Sequence, residues 1–288
     1  MSKIFIAMPQ YRPMPRHTEK ALAELFGMDG WKPMGLHPMV GASILDLKTT
    51  KHEHMLQVLR YDGLIERSQC TLFGQWLHYW KKGDRFDYIL RLDEDIEFHP
   101  SAIQSMIDAD KPIIGGAYAY KADSGSKFKK SVCKYLPGRK VSDEKGILQI
   151  LWLNGGFQFF RSDALFKLME AYPSLRYDRV PEGGCDCTES YALWTDMIKE
   201  MDTGENKMRI LLSEDYAICQ RAIDIGIDIY LDMKVNLCHW DTHIPDPEDE
   251  DDYLRATGYM VGADPIVVTE RSKPWRQNSS MQTTLSAV

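Results

Sequence analysis

The stretch Tyr88-Ile89-Leu90-Arg91-Leu92-Asp93-Glu94-Asp95-Ile96-Glu97-Phe98 decides the reading of this chain. A short apolar run of this kind reads as a buried strand, and this one delivers two carboxylates, Asp93 and Asp95, at its end. Residues two apart on an extended backbone point the same way, so one divalent ion could sit between them. Such ions favour carboxylate oxygens together with the phosphates of a substrate. Glu94 and Glu97 add acidity, and alternation is expected to turn Glu94 away from the Asp93/Asp95 face. An isolated Asp-x-Asp reads more simply as a solvated acidic turn. Three later segments favour the metal reading.

Around this stretch the pattern alternates strand and helix. Lys3 to Met8 reads as a first buried strand ended by Pro9. His17 to Met28 carries an apolar helical face, and residues 30–50, rich in Gly, Pro and Met, read as irregular. Leu64 to Lys82 is a strong helix, Asp87 to Leu92 the acidic strand, and His99-Pro100-Ser101 opens a helix to Ala109. Pro112 to Ala117 is a short strand, Lys121 to Gly146 a loop, and Ile147–Leu153 and Gly156–Arg161 are strands. Ser162 is expected to cap a helix to Ala171, followed by irregular chain over 173–190. Ser213-Glu214-Asp215 starts a helix to Ile225, stopped by Gly226, with strands at 227–231 and 235–238. The expected fold is α/β: a single domain with a mostly parallel central sheet flanked by helices. It is expected to span 1–271, with an acidic run over 248–252, a short final helix and a polar, disordered tail over 272–288.

Composition narrows the class. The chain has 288 residues, 44% of them hydrophobic and 27% charged, as in a soluble globular protein. A net charge of -7 argues against general coating of nucleic acid. The six cysteines include no Cys-x-x-Cys, which excludes zinc-ribbon and thioredoxin signatures, and buried free thiols in a reducing compartment account for them. The N-terminus is too quickly broken by Pro9 to be a signal peptide, and no run is long enough to span a membrane. The expected location is the cytoplasm, a host's if the protein is viral.

The second informative segment is Trp152-Leu153-Asn154-Gly155-Gly156-Phe157-Gln158. Paired glycines let a backbone approach a ligand closely, and a plain hairpin turn explains them equally well. The third is Ser213-Glu214-Asp215-Tyr216, two acids at a helix start. They suit the dipole there, and either could take a proton from an acceptor hydroxyl. The fourth is Val235-Asn236-Leu237-Cys238-His239-Trp240-Asp241-Thr242-His243. A histidine closing an apolar strand is either a satisfied core residue or a further metal ligand.

In this order, and with Gly115-Gly116-Ala117-Tyr118 and a Gly-Phe strand ending at Arg161, these segments resemble the GT-A superfamily of nucleotide-sugar-dependent glycosyltransferases. The likeness is to compact phage and bacterial forms and covers roughly residues 3–243. It implies a Rossmann-like GT-A fold and a nucleotide diphosphate-sugar donor, with a UDP-sugar first among candidates. It implies Mn²⁺ or Mg²⁺ held by Asp95 and His239, with His243 as an alternative, and Asp93 on the ribose or on metal-bound water. Pro9 and Tyr11 would frame the base, Arg67 would lie at the nucleotide end of its helix, and Glu94 would belong to the donor side. Gly155 and Gly156 would line the sugar pocket. Asp215 would be the base of an inverting displacement, with Glu214 placing acceptor or sugar.

The acceptor stays open between glycan, protein and modified DNA. Lys129 and Lys130 lie in a basic, aromatic-containing loop that could grip a phosphate backbone, as in phage enzymes acting on hydroxymethylated bases, and Tyr118 could line the same acceptor side. A solvated basic loop is the simpler account of those lysines. A sugar-nucleotide nucleotidyltransferase would open with a Gly-rich basic loop after the first strand, and Pro9-Gln10-Tyr11-Arg12-Pro13 is not one. A non-catalytic nucleotide-sugar or glycan binder is the remaining alternative.

Overall fold

The structure is a computed structural model that describes residues 1–10, 38–60, 63–116, 118, 133–135, 146–180, 187–202, 207–235 and 237–239. Its strands are β1 (Lys3–Gln10), β2 (Glu53–Arg60), β3 (Tyr88–Leu92), β4 (Ile96–Phe98), β5 (Ile113–Gly116), β6 (Cys133–Tyr135), β7 (Ile147–Leu153), β8 (Phe157–Arg161), β9 (Arg176–Asp178), β10 (Glu189–Tyr191), β11 (Met197–Asp202), β12 (Lys207–Leu212), β13 (Ile229–Asp232) and β14 (Leu237–His239). Its helices are α1 (Pro38–Asp46), α2 (Ile65–Lys81), α3 (Ser101–Ala109), α4 (Ser162–Ala171) and α5 (Glu214–Asp224).

Eight strands form the main sheet in the order β2-β1-β3-β8-β5-β13-β7-β6. β8 is antiparallel to both β3 and β5, and β7 is antiparallel to both β13 and β6; the other six strands share one direction. This is the mostly parallel, helix-flanked α/β sheet that the sequence pattern predicts. A two-stranded ribbon, β4 with β14, lies beside it.

Alternation along the strands builds two cores. Phe5, Ala7, Ile89 and Phe160 face one side, where they meet Phe73 and Trp76 of α2, Leu165 of α4 and Ile218 of α5. Ile4, Ile6, Met8, Leu90, Leu92, Phe157 and Phe159 face the other, against Val40 and Ile44 of α1 and Ile103 of α3. Because β1 and β3 are covered on both faces, they read as unbroken apolar runs. Parity then places Arg91 on the α2 and α5 side with Ile89.

Several expectations need correction. β1 continues through Pro9 to Gln10: β3 pairs only Ile4–Ala7, so past that point β2 is the remaining partner and a missing N–H is tolerated. Within the supposedly irregular 30–50, α1 forms because Val40, Ile44 and Leu47 recur at helical spacing and are buried. β2, with Glu53, His54, Gln57 and Arg60 scattered along it, occupies a sheet edge. β6 lies inside the expected loop over 121–146. Segment 173–190 contributes β9 and β10, which pair as a ribbon, and β11 and β12 pair as another. Ser162 does not cap α4; its hydroxyl donates to the Phe86 carbonyl. Gly226 does end the helix before it, at a φ of 81°. The expected helix over 17–28, the basic loop with Lys129 and Lys130, Tyr11, His243, the acidic run, the final helix and the tail lie outside the described residues.

Asn154-Gly155-Gly156 is not a hairpin. β7 and β8 are separated in the sheet by β5 and β13. The chain crosses where Gly115 has no side chain: a Cβ there would stand 2.7 Å from the Phe157 carbonyl oxygen and 2.9 Å from Leu153 Cδ2. Gly116 makes the matching space on the opposite face, where Leu237 of β14 approaches. Among the described residues no helix is long and apolar enough to cross a membrane.

Trp76 is fully buried and packs on Phe73, Trp80 and Phe166. Trp76→Ala is expected to lower unfolding free energy by about 3–5 kcal/mol in denaturant titration. A second prediction concerns acid. Burial, with help from His52, lowers the His54 imidazole from 6.5 to about 4, and its Nε2 has no hydrogen-bond partner. The unfolded chain therefore binds a proton at a pH where the folded chain does not. Stability is complete above about pH 6.5 and falls as pH drops toward 4, by about 2 kcal/mol after allowing for solvent screening. His54→Gln is expected to flatten that part of a stability–pH curve.

Candidate active site

The acidic stretch does not continue as a strand. Asp93 leaves β3, Glu94 and Asp95 turn, with the Ile96 N–H donating to the Asp93 carbonyl, and the chain re-enters as β4. The convergence of carboxylates therefore comes from a turn and not from strand alternation. The turn is not solvated: Glu94, Asp95 and Glu97 are 5%, 9% and 2% exposed, and Asp93 is half-buried. Burying a carboxylate costs several kcal/mol unless donors or cations offset it, which removes the simple account of a surface acidic turn.

β14 supplies one partner. It pairs antiparallel with β4, with His239 opposite Ile96, which sets His239 Nε2 3.5 Å from Asp95 Oδ1. That is longer than a hydrogen bond. Two donors each about 2.1 Å from a common ion stand roughly 3.0–3.5 Å apart. Asp95 and His239 thus fit as two ligands of one divalent cation. Asp93 does not complete a set of three with them: no group of three His, Cys, Asp or Glu close enough to hold an ion exists among the described residues. Its Oδ1 lacks a hydrogen-bond partner and lies 3.9 Å from Arg91 Nη2. Burial raises the Asp93 carboxyl above its ordinary value against the opposing pull of Arg91. These features suit a contact to a bound ligand or metal-held water better than direct ligation.

The other half of the site is the start of α5. Asp215 is 9% exposed and accepts three hydrogen bonds, from the Gly155 N–H at 3.0 Å, the Ser213 hydroxyl and the Tyr216 N–H at 2.8 Å. A carboxylate offers about four lone-pair positions. Two donors sit on Oδ1 and one on Oδ2, so one position on Oδ2 remains. Glu214 faces Arg91, Oε1 to Nη2 3.2 Å, and burial raises its carboxyl despite that cation. Gln158 and Tyr216 brace the same corner, through the Leu153 carbonyl and the Asn154 side chain.

Arg91 was hidden in the apolar run. It is 1% exposed and lies between Asp93 and Glu214. Burial alone would lower its guanidinium, but Asp93, Glu214 and Asp215 together hold it above its ordinary value. Its Nη1 and Nε have no hydrogen-bond partner, and Nη1 fills the space where a Gly155 side chain would begin. The available signal was one charged residue in a strand otherwise fit for full burial.

Gly155 and Gly156 join the two halves. The Asp93 N–H donates to the Gly156 carbonyl at 3.0 Å, and the Gly156 N–H donates to the Tyr118 hydroxyl at 2.7 Å. Tyr118 also meets the His239 ring edge to face, with centroids 5.3 Å apart. At 6% exposure it is buried against Gly156 and His239. Pro9 is buried late in β1, and Arg67 is exposed in the first turn of α2.

No known family profile and no curated protein matches the chain. Three solved structures are similar in outline. A197 from STIV has 10% identity, covers 84% of this chain and 86% of its own, and gives a TM-score of 0.44. GalNAc-T7 with UDP, GalNAc and Mn²⁺ has 10% identity, with 85% of this chain and 45% of that one covered, at 0.41. The inositol-1-phosphate CTP transferase from T. maritima has 14% identity, with 83% and 88% covered, at 0.37.

Tyr118→Phe removes the acceptor of a buried N–H. It is expected to cost about 1–3 kcal/mol in denaturant titration and to speed amide exchange at Gly156 above that at core strands.

Proposed function

We propose that this chain is a metal-dependent glycosyltransferase that moves a sugar from a nucleotide diphosphate-sugar to an acceptor hydroxyl. The observation that carries this reading is the pairing of a buried Asp95–His239 couple with the Glu214–Asp215 corner across the Gly155-Gly156 turn. One side suits a metal diphosphate and the other an incoming hydroxyl; the space beside the glycines is taken by Arg91 and Tyr118, so the glycines tie the two sides together through their backbone and do not line an open sugar pocket.

Asp95 and His239 would hold Mn²⁺ or Mg²⁺, which supplies charge neutralisation to the departing diphosphate when bound. Asp93 would contact the ribose or a metal-held water. Asp215, oriented by its three donors, would take the acceptor proton on the free position of Oδ2 as the new bond forms. Glu214 would place the acceptor or the sugar. Attack from the α5 side, opposite the diphosphate, inverts the anomeric centre. The acceptor stays open between a glycan, a protein and DNA with hydroxymethylated bases.

Thermal shift against a panel of nucleoside diphosphates, with and without Mn²⁺, tests the donor site. One base is expected to raise the midpoint only with Mn²⁺, and Asp95→Ala to abolish the rise. Among nucleotide-sugars of that base, one is expected to be turned over, with Asp215→Asn slowing release by about 10²–10⁴-fold while nucleotide still binds. Absence of any nucleotide-dependent shift in the wild-type chain would sink the reading.

A further inference from the structure

We propose that Arg91 is a positioning residue that ties the donor side of the site to the acceptor side. The inference rests on the transferase reading for its functional half and on geometry for the rest. One guanidinium faces Glu214 at 3.2 Å and Asp93 at 3.9 Å, with Asp215 in its field. No other described cationic side chain is ion-paired with these three acids. Its location is fixed from above by Gly155, whose missing side chain leaves the volume that Nη1 occupies, and whose N–H in turn holds Asp215. A shift of Arg91 therefore moves Glu214 directly and Asp215 through the glycine.

At 1% exposure Arg91 does not touch a ligand in this arrangement, so its effect is exerted through those neighbours. Nη2 makes both carboxylate contacts, so a lysine in its place keeps the charge but lacks the second guanidinium nitrogen, Nη1, that fills the volume beside Gly155. The requirement for arginine follows from that geometry, and so does the requirement for glycine at 155. Any side chain there competes with the guanidinium for one volume.

Two measurements test this together. The first is a stability cycle on the unliganded protein with Gly155→Ala, Arg91→Ala and the double variant. Gly155→Ala is expected to lower Tm markedly in the wild-type background and to add almost nothing once Arg91 is removed, because the methyl group then enters vacated space. Additive losses overturn the placement of Arg91. The second is nucleotide release from UDP-sugars, or from sugars of whichever base the panel returns, by Arg91→Lys and Glu214→Gln. Each is expected to lower kcat more than tenfold while KM changes less than threefold. Unchanged kcat in folded Arg91→Lys overturns the positioning role and leaves the transferase reading standing. If Arg91→Lys fails to fold, Arg91→Gln, which keeps a planar polar group in that space, decides by the same criterion. A folded wild-type chain that binds no nucleotide overturns the transferase reading, and the positioning role with it, whatever the stability cycle shows.

Discussion

A guanidinium held in the interior between carboxylates is stable only while all of them stay in place. Arg91 is such a group, and the organisation around it follows from that constraint. The cation must be neutralised, so Asp93 and Glu214 are drawn to it from opposite elements. Its volume must be accommodated, so residue 155 carries no side chain. Removing one partner from a buried ion pair leaves an uncompensated charge, which is costlier than the pair is stabilising. The cluster therefore behaves as a unit, and its parts come from chain positions more than a hundred residues apart.

The glycines serve this unit in different ways. Gly115 and Gly116 act through empty space, one on each face of the same strand, admitting Leu153 and Leu237 respectively. Gly155 gives way to an arginine, and Gly156 presents both its backbone groups, to Tyr118 and to Asp93. In none of the four does a left-handed backbone explain the residue. Close approach does, which is the other reason a chain uses glycine.

Much of the frame was legible in the amino-acid order. β1, β3 and β8 are covered on both faces, so their apolar runs are unbroken and easily recognised. α2 and α5 show strong helical spacing, and Gly226 marks an end. β2 and α1 were missed because their signals are weak: the edge strand β2 mixes polar and apolar residues without a clean period, and a helix rich in small residues resembles loop. The candidate site divides the same way. Asp93, Asp95, Glu214, Asp215 and His239 stand at element ends, where chemistry-bearing side chains are expected. Arg91 and Tyr118 work from behind, and nothing in their local sequence says which distant backbone they meet. Of the two readings open for the glycine pair, the hairpin fails because strand adjacency is decided by tertiary order, not by the length of the connection.

The placement of β8 bears on how the chain is made. β8 runs between β3 and β5, yet it follows both in sequence. A ribosome delivers β3 and β5 first, and roughly 40 residues must follow before their shared partner is available. At bacterial synthesis rates of about 5–20 residues per second, that interval lasts several seconds. Throughout it two apolar strands offer unpaired edges to any other nascent chain. The centre of the finished sheet, where β8 lies between β3 and β5, is thus completed only after the strands on either side of it have been made.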